Sequence, residues 1–337
     1  MKSPRGRAFT TVEFMVLFGI VVILLSIFVP VTMQLREKAR RSRCADNLRQ
    51  IYGALASYAA ANATAYPRVR YDEPANPSGY VAFTGADDPD PFSAQSSVAP
   101  NDVTASLWLL VRLGLVDAGV FICPSSDNSR DLMTDAQGRF VRAVQRGNFR
   151  RPSNLSYSYC SPFSNAPNYR MNVDRPGDFA LLADKNPGIA PPDANVTGVP
   201  FDTDLLHLSH ANSRNHGRAG QNVLSAQGSV LWRKSPYCGV QGDNIYTALS
   251  RTPLIDRNLP PRGSGFLGYD IGPSWEGDSY LLPTATDGLN AGVVPRAATA
   301  LTSSTAPAAS APTTMPASAP ATHPASAPAS APATQPQ

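Results

Sequence analysis

The sequence predicts an α+β chain: one long N-terminal helix packed on a β-rich head, followed by a disordered tail. Three observations carry that expectation. Only one stretch, Phe14 to Val29 or Val31, is apolar enough to span a bilayer, which excludes a polytopic membrane protein. Beyond it, apolar residues recur at steps of three and four. The body then breaks into short apolar or alternating runs separated by turn residues. The 337 residues include 32 prolines, too many for a coiled coil or helical bundle running the whole length.

The apolar segment comes first in the argument. Residues 1–8 are short, polar and basic, and from Phe9 the chain turns apolar. No small-x-small cleavage site follows, so the run is expected to stay as an anchor. Lys2, Arg5 and Arg7 favour a cytoplasmic N-terminus with the body outside the inner membrane. The cluster Arg36, Lys38, Arg40, Arg41 and Arg43 opposes that orientation. These eight basic residues stand against only Glu13 and Glu37 in the first 43 positions, whereas the rest of the chain holds 21 basic and 23 acidic side chains. The net charge of +4 is therefore a membrane-proximal feature, and no nucleic-acid partner is expected.

Glu13 lies within the apolar run, where a charge costs roughly 2.5–3.5 kcal/mol at mid-bilayer and less near the interface. It either sits at headgroup depth or needs a cation. Cleavage between Ala8 and Phe9 would create one, an α-amino group four residues away, and pairing between neighbouring subunits would set the register of a helical filament.

Ala8-Phe9-Thr10-Thr11-Val12-Glu13 followed by an apolar helix resembles the prepilin-type cleavage and methylation motif of type IV pilins and type II secretion pseudopilins. Ala8 and Thr11-Val12 stand where glycine and a leucine-plus-aliphatic pair are commoner. The resemblance implies a leader at 1–8, cut before Phe9 by a prepilin peptidase that then methylates the new N-terminus. It also implies docking of subunits through Glu13, and a helix bend at Pro30. The implied partners are that peptidase, other pilin-like subunits, the inner-membrane assembly platform and the inner membrane itself. The head would be periplasmic or extracellular, and the head expected is a pilin-like one.

The transmembrane part of the helix is expected at 9–31 and its amphipathic outer half at 32–66. Leu48, Ile51, Tyr52, Leu55, Tyr58 and Ala59 form the docking stripe, and the helix stops near Tyr66-Pro67. The head occupies 67–296. In it, 64–105 reads as a long loop with a short strand at Tyr80–Phe83, and 106–116 as a helix ending at Gly114. Leu155, Tyr157 and Tyr159 alternate as a strand with one covered face. The run 179–183 reads as a buried strand, and 222–226 with 229–232 as a hairpin around Gln227-Gly228. The uncharged, Ala/Pro/Ser/Thr-rich stretch 297–337 reads as an extended disordered tail.

The hairpin extends the resemblance. His216-Gly217 followed by Gln227-Gly228 is similar to the His-x9-Asp-Gly box of a bacterial subfamily of pilin-like proteins, here with glutamine in the aspartate's place and one residue more in the spacing. The stretches around Cys44 and Cys123-Pro124 resemble two others of that subfamily. Four cysteines, Cys44, Cys123, Cys160 and Cys238, allow three disulfide pairings. The resemblance implies Cys44–Cys123, leaving Cys160–Cys238.

The remaining chemistry is sparse. Asp87, Asp88, Asp90 and Asp102 are oxygen donors for calcium or a solvated acidic loop. His207, His210 and His216, with Asp204 beside them, are metal donors or a hydrogen-bonded loop. There is no Gly-x-Ser-x-Gly elbow and no phosphate-binding glycine loop, so no enzyme and no cofactor is expected. The leading reading is a pilin-like filament subunit, and two rivals stand beside it: a membrane-anchored surface binding or adhesion protein that does not polymerise, and a membrane-tethered enzyme using the histidine loop.

Overall fold

A computed structural model describes residues 10–72, 80–190, 194–196, 204–248 and 272–285. The leader, the cleavage pair Ala8 and Phe9, and the 297–337 tail lie outside the described residues.

Helix α1 runs from Thr11 to Ala61, 51 residues and about 76 Å at 1.5 Å per residue. Its start is a capping box. The Thr10 hydroxyl accepts from the Glu13 N–H at 3.2 Å, and the Glu13 carboxylate accepts from the Thr10 N–H at 2.9 Å and from its hydroxyl at 2.8 Å. The helix continues through Pro30. Its first half is long and apolar enough to cross a membrane, and none of that window is buried. In the second half Cys44, Ala45, Leu48, Ile51, Ala54, Leu55 and Ala59 are buried, the helical spacing of a docking stripe. The helix ends five residues before Tyr66, earlier than expected. Ala63 and Thr64 take positive φ, and Ala65 then bridges to Asn172, which reverses the chain before Pro67 is reached.

Five antiparallel strands form the head's sheet: β1 (Tyr157–Cys160), β2 (Ala180–Asp184), β5 (Gln221–Ser225), β6 (Val230–Arg233) and β7 (Leu281–Leu282). Their order is β6-β5-β2-β1-β7. A separate two-stranded ribbon joins β3 (Ile189–Ala190) to β4 (Ala194–Asn195). The central strands β1 and β2 are buried throughout. This corrects the expectation of one covered face for β1. Its interleaved Ser158 is also buried, donating to Pro283 O at 2.6 Å and accepting from the Asn186 N–H at 2.9 Å.

Helix α1 packs against β5, β6, a 3₁₀ turn at Ala118–Phe121 and helix α2 (Val103–Arg112). Helix α2 is buried except at its last residue and is capped by Asp102; Gly114, at φ 70°, lies just beyond its end. Tyr80–Phe83 forms no strand. Val81 makes only a bridge to Asp102. A five-residue helix, α3 (Leu205–Ser209), precedes the turn that leads into β5.

The β5–β6 hairpin forms as expected and shows why its turn needs glycine. Gly228 has φ 82°, and a Cβ placed there would fall 2.4 Å from the Tyr52 ring of α1. Gln227 lays its amide over Gly177, where a side chain would collide with it in turn. The hairpin tip is thus seated on the helix. Gly228→Ala combines left-handed strain with that collision and should destabilise the head by about 1–3 kcal/mol in chemical unfolding. An unchanged midpoint would show that the tip does not bear on α1.

Candidate functional site

Four segments far apart in sequence converge under the hairpin. Cys44 comes from the buried stripe of α1, and Cys123 from the turn after the 3₁₀ helix. Asp184 is the last residue of β2. His216 lies in a left-handed turn (φ 58°, followed by Gly217 at φ 61°) before β5. Their side-chain donor atoms all lie within 4.8 Å of one another, and all four residues are buried.

The hydrogen bonds give the cluster a direction. Cys44 Sγ donates to Asp184 Oδ1 at 3.0 Å, Cys123 Sγ is 3.4 Å from His216 Nε2, and Nε2 is 3.6 Å from Asp184 Oδ2. On the ring's other side, Nδ1 donates to Glu37 Oε1 at 2.7 Å. Glu37 itself is held by the Ser125 hydroxyl at 2.8 Å and Arg41 Nε at 3.3 Å. Arg41 covers the Trp232 ring at 4.0 Å, and that ring meets the His216 ring edge-on at 5.4 Å. Asp184 also accepts from the Asn222 N–H at 2.7 Å and the Asn215 amide at 3.1 Å, so both of its carboxylate oxygens have protein donors.

The electrostatics follow from burial and proximity. Burial and the neighbouring Cys123 sulfur push the Cys44 thiol up. Cys123 goes the other way, held down to about 7 by the Cys44 thiol, against burial and with help from His216. Burial alone would lower His216, but Cys123, Asp184 and Glu37 outweigh it and raise the imidazole to about 9. Burial would raise the Glu37 carboxyl, but its bonds to His216 and Ser125 bring it below the usual range. The two shifts run in opposite directions, the Cys123 thiol down and the His216 imidazole up, as each group favours the charged form of the other.

Such an arrangement can do two kinds of chemistry. A thiol beside an imidazole is a nucleophile with its base, and two thiols, an imidazole and a carboxylate are a metal-ligand set. The His216 and Asp184 side chains have no exposed surface, and Cys44 and Cys123 have none either. A cleft of about 790 Å3 between Gln50, Gly53 and Ser57 of α1 and the 114–118 turn lies elsewhere and is lined by none of the four.

The other candidates are placed apart. All four cysteines are free thiols, so neither expected disulfide is formed. Cys44 and Cys123 are neighbours, but Cys44 points its S–H at Asp184, while Cys160 lies 3.4 Å from the Tyr169 hydroxyl and Cys238 lines a groove with Gly177 and Gln227. The three histidines do not gather. His207 pairs with Asp204 at 2.6 Å on exposed α3, and only His216 enters the cluster. The four aspartates are likewise taken singly. Asp102 caps α2 and holds Thr84, Asp88 accepts from the Asp90 N–H in its own turn and from Ser96 and Ser97 further on, Asp90 closes its own turn, and Asp87 pairs with Arg150. Gln227 and Gly228 of the box serve the hairpin tip.

Two participants, Glu37 and Asp184, escaped the sequence reading. Each had a signal: Glu37 is the one acid inside a basic run, with Arg41 four residues on, and Asp184 closes a buried apolar strand. Comparison with known proteins finds no matching family model, no matching curated protein and no matching solved structure.

Asp184→Ala would leave the Asn222 N–H and the Asn215 amide buried without an acceptor, at roughly 1–3 kcal/mol each. A loss of about 3 kcal/mol in denaturant unfolding is expected. A loss below about 1 kcal/mol would mean that the carboxylate is not the anchor described.

Proposed function

We propose that this chain is a pilin-like structural subunit. A prepilin peptidase cleaves it between Ala8 and Phe9 and methylates Phe9, and the mature subunit assembles through α1 into a type II secretion or type IV pilus-like filament. Its role is mechanical rather than enzymatic, and before assembly it is a single-pass inner-membrane protein with the N-terminus cytoplasmic.

One observation supports this reading above the rest: the two halves of α1 have opposite environments. From Val12 to Leu35 the large apolar side chains are exposed on every face, including Phe14, Leu17, Ile20, Leu24, Ile27 and Val31. From Cys44 onward the same helix is committed to the head. An exposed apolar rod of this length is unstable in water and requires lipid, other such helices, or each in turn. A subunit that moves from a bilayer into a helical bundle meets both requirements with one surface.

Glu13 fits the same reading. In the isolated chain its carboxylate is satisfied by the Thr10 N–H and hydroxyl, a local arrangement that lets an acid be stored at the end of an apolar helix. Cleavage before Phe9 would place a cationic amine nearby, and the carboxylate would exchange its own cap for a neighbour's amine.

The test is mass spectrometry of the N-terminal peptide from chain expressed in its native host. A peptide beginning at N-methylated Phe9 is expected, and Glu13→Leu should abolish incorporation into sedimentable filaments while the head stays folded. A peptide still carrying residues 1–8 would overturn the reading in favour of an anchored surface protein that does not polymerise.

A further inference from the structure

The buried cluster has a use that the filament reading does not require. We propose that Cys44, Cys123, Asp184 and His216 form a closed, four-ligand site for a zinc ion that fastens α1 to the sheet of the head.

The donor set is the first argument. Two thiols, an imidazole and a carboxylate, one donor atom each and all within 4.8 Å, form a mixed soft and borderline shell that suits zinc and does not suit calcium or magnesium. Spacing is the second. Zinc bonds of 2.0–2.3 Å in a tetrahedron place ligand atoms about 3.3–3.8 Å apart. Cys123 Sγ to His216 Nε2 is 3.4 Å, Nε2 lies 3.6 Å from one oxygen of Asp184, Cys44 Sγ lies 3.0 Å from the other, and no two of the four donor atoms are more than 4.8 Å apart. The Cys44–Asp184 contact would open by about half an ångström as the S–H bond gives way to the metal, and pairs near the 4.8 Å limit would close by about 1 Å.

The surroundings are the third argument. His216 turns Nε2 into the cluster because Nδ1 donates to Glu37 at 2.7 Å, the carboxylate–histidine arrangement that orients metal ligands. The Ser125 N–H points at Cys123 Sγ at 3.4 Å, the kind of donor that stabilises a coordinated thiolate. Asn222 and Asn215 hold the Asp184 carboxylate in place. All four ligands are buried, and all four positions are supplied by the protein, which marks a structural site rather than a catalytic one. On binding, the Cys44 and Cys123 sulfurs and His216 Nε2 give up to solvent whatever protons they carry, and the freed lone pairs bond to the metal; no oxidant or reductant is needed.

This also separates zinc from the disulfide alternative. A Cys44–Cys123 bridge would consume both sulfurs and leave His216 Nε2, oriented by Glu37, facing Asp184 without a ligand role.

The test uses the full chain in detergent, purified without chelator or added metal, with zinc measured by elemental analysis. About one zinc per chain is expected, falling at least fivefold in the Cys44→Ser/Cys123→Ser double variant. Glu37→Gln, which removes no ligand, should keep the stoichiometry but weaken zinc affinity about 10–100-fold in competition with a chelator. Because the double variant can misfold, a second measurement is made on the wild type alone. The chelator-stripped chain is reloaded with Co²⁺, and thiolate-to-cobalt charge-transfer bands with tetrahedral d–d absorption are expected. The proposal is overturned if folded wild type with four titratable thiols takes up neither Zn²⁺ nor Co²⁺. A Cys44–Cys123 disulfide in chain from the native host, or full zinc retention by the folded double variant, would overturn it as well. None of these outcomes depends on whether Phe9 is the mature N-terminus.

Discussion

The structure depends on one partly buried hydrogen bond, from His216 Nδ1 to Glu37 on α1. A helix about 76 Å long cannot be held to a small sheet by an apolar stripe alone without freedom to slide or roll, because apolar contact is non-directional. A directional bond to a side chain with no exposed surface removes that freedom. Its partner sits in a left-handed backbone turn whose next residue is glycine, and the ring is braced by Trp232 and Arg41. Fifteen residues further along α1, about 22 Å, the Gly228 turn seats on Tyr52 and supplies a second fixed point. The two ends of the His…Gln-Gly box thus grip one helix at two heights.

That geometry gives physical content to the division of α1 into two halves. Glu13 and Glu37 are the two acids of the chain's first 43 residues, and each carboxylate is hydrogen-bonded locally. Glu13 is held by its own cap among exposed apolar side chains, where its bonds are exchangeable. Glu37 is tied to groups from the head, Ser125 and His216, and is not. In the assembly we propose, force on the head would pass through the outer half of the helix, and a loose joint there would dissipate it. The cluster beneath the hairpin stiffens that joint, and a bound metal would stiffen it further.

Much of this was legible in the sequence, for reasons that residue patterns make plain. The stripe Leu48, Ile51, Leu55 and Ala59 is buried as its spacing requires, and the run ending at Ala183 is a buried central strand. The hairpin could be read from Gln227-Gly228, though not the fact that Tyr52 is what demands the glycine. What was illegible is what depends on distant partners. Cys123 and His216 are 93 residues apart and look unrelated until β2, β5 and α1 are packed. The burial of Ser158 depends on Pro283, and the early stop of α1 depends on Asn172 and Met171 pairing with Ala65 and Tyr66. The histidine spacing in 207–216 left a metal site and a hydrogen-bonded loop both open, and it is the exposed His207 that pairs with Asp204 instead of turning inward. Local spacing cannot distinguish a loop that folds back from one that does not.

The central claim is that α1 is locked to the head through Glu37 and His216, and a double-mutant cycle tests it most directly. Unfolding free energies are measured for the full chain in detergent, for Glu37→Gln, for His216→Gln and for the pair. An interaction energy of about 1–3 kcal/mol is expected for a partly buried, charge-assisted contact of this kind. Additivity within about 0.5 kcal/mol would mean that the two residues do not act on one another, and the joint between helix and head would have to be sought elsewhere.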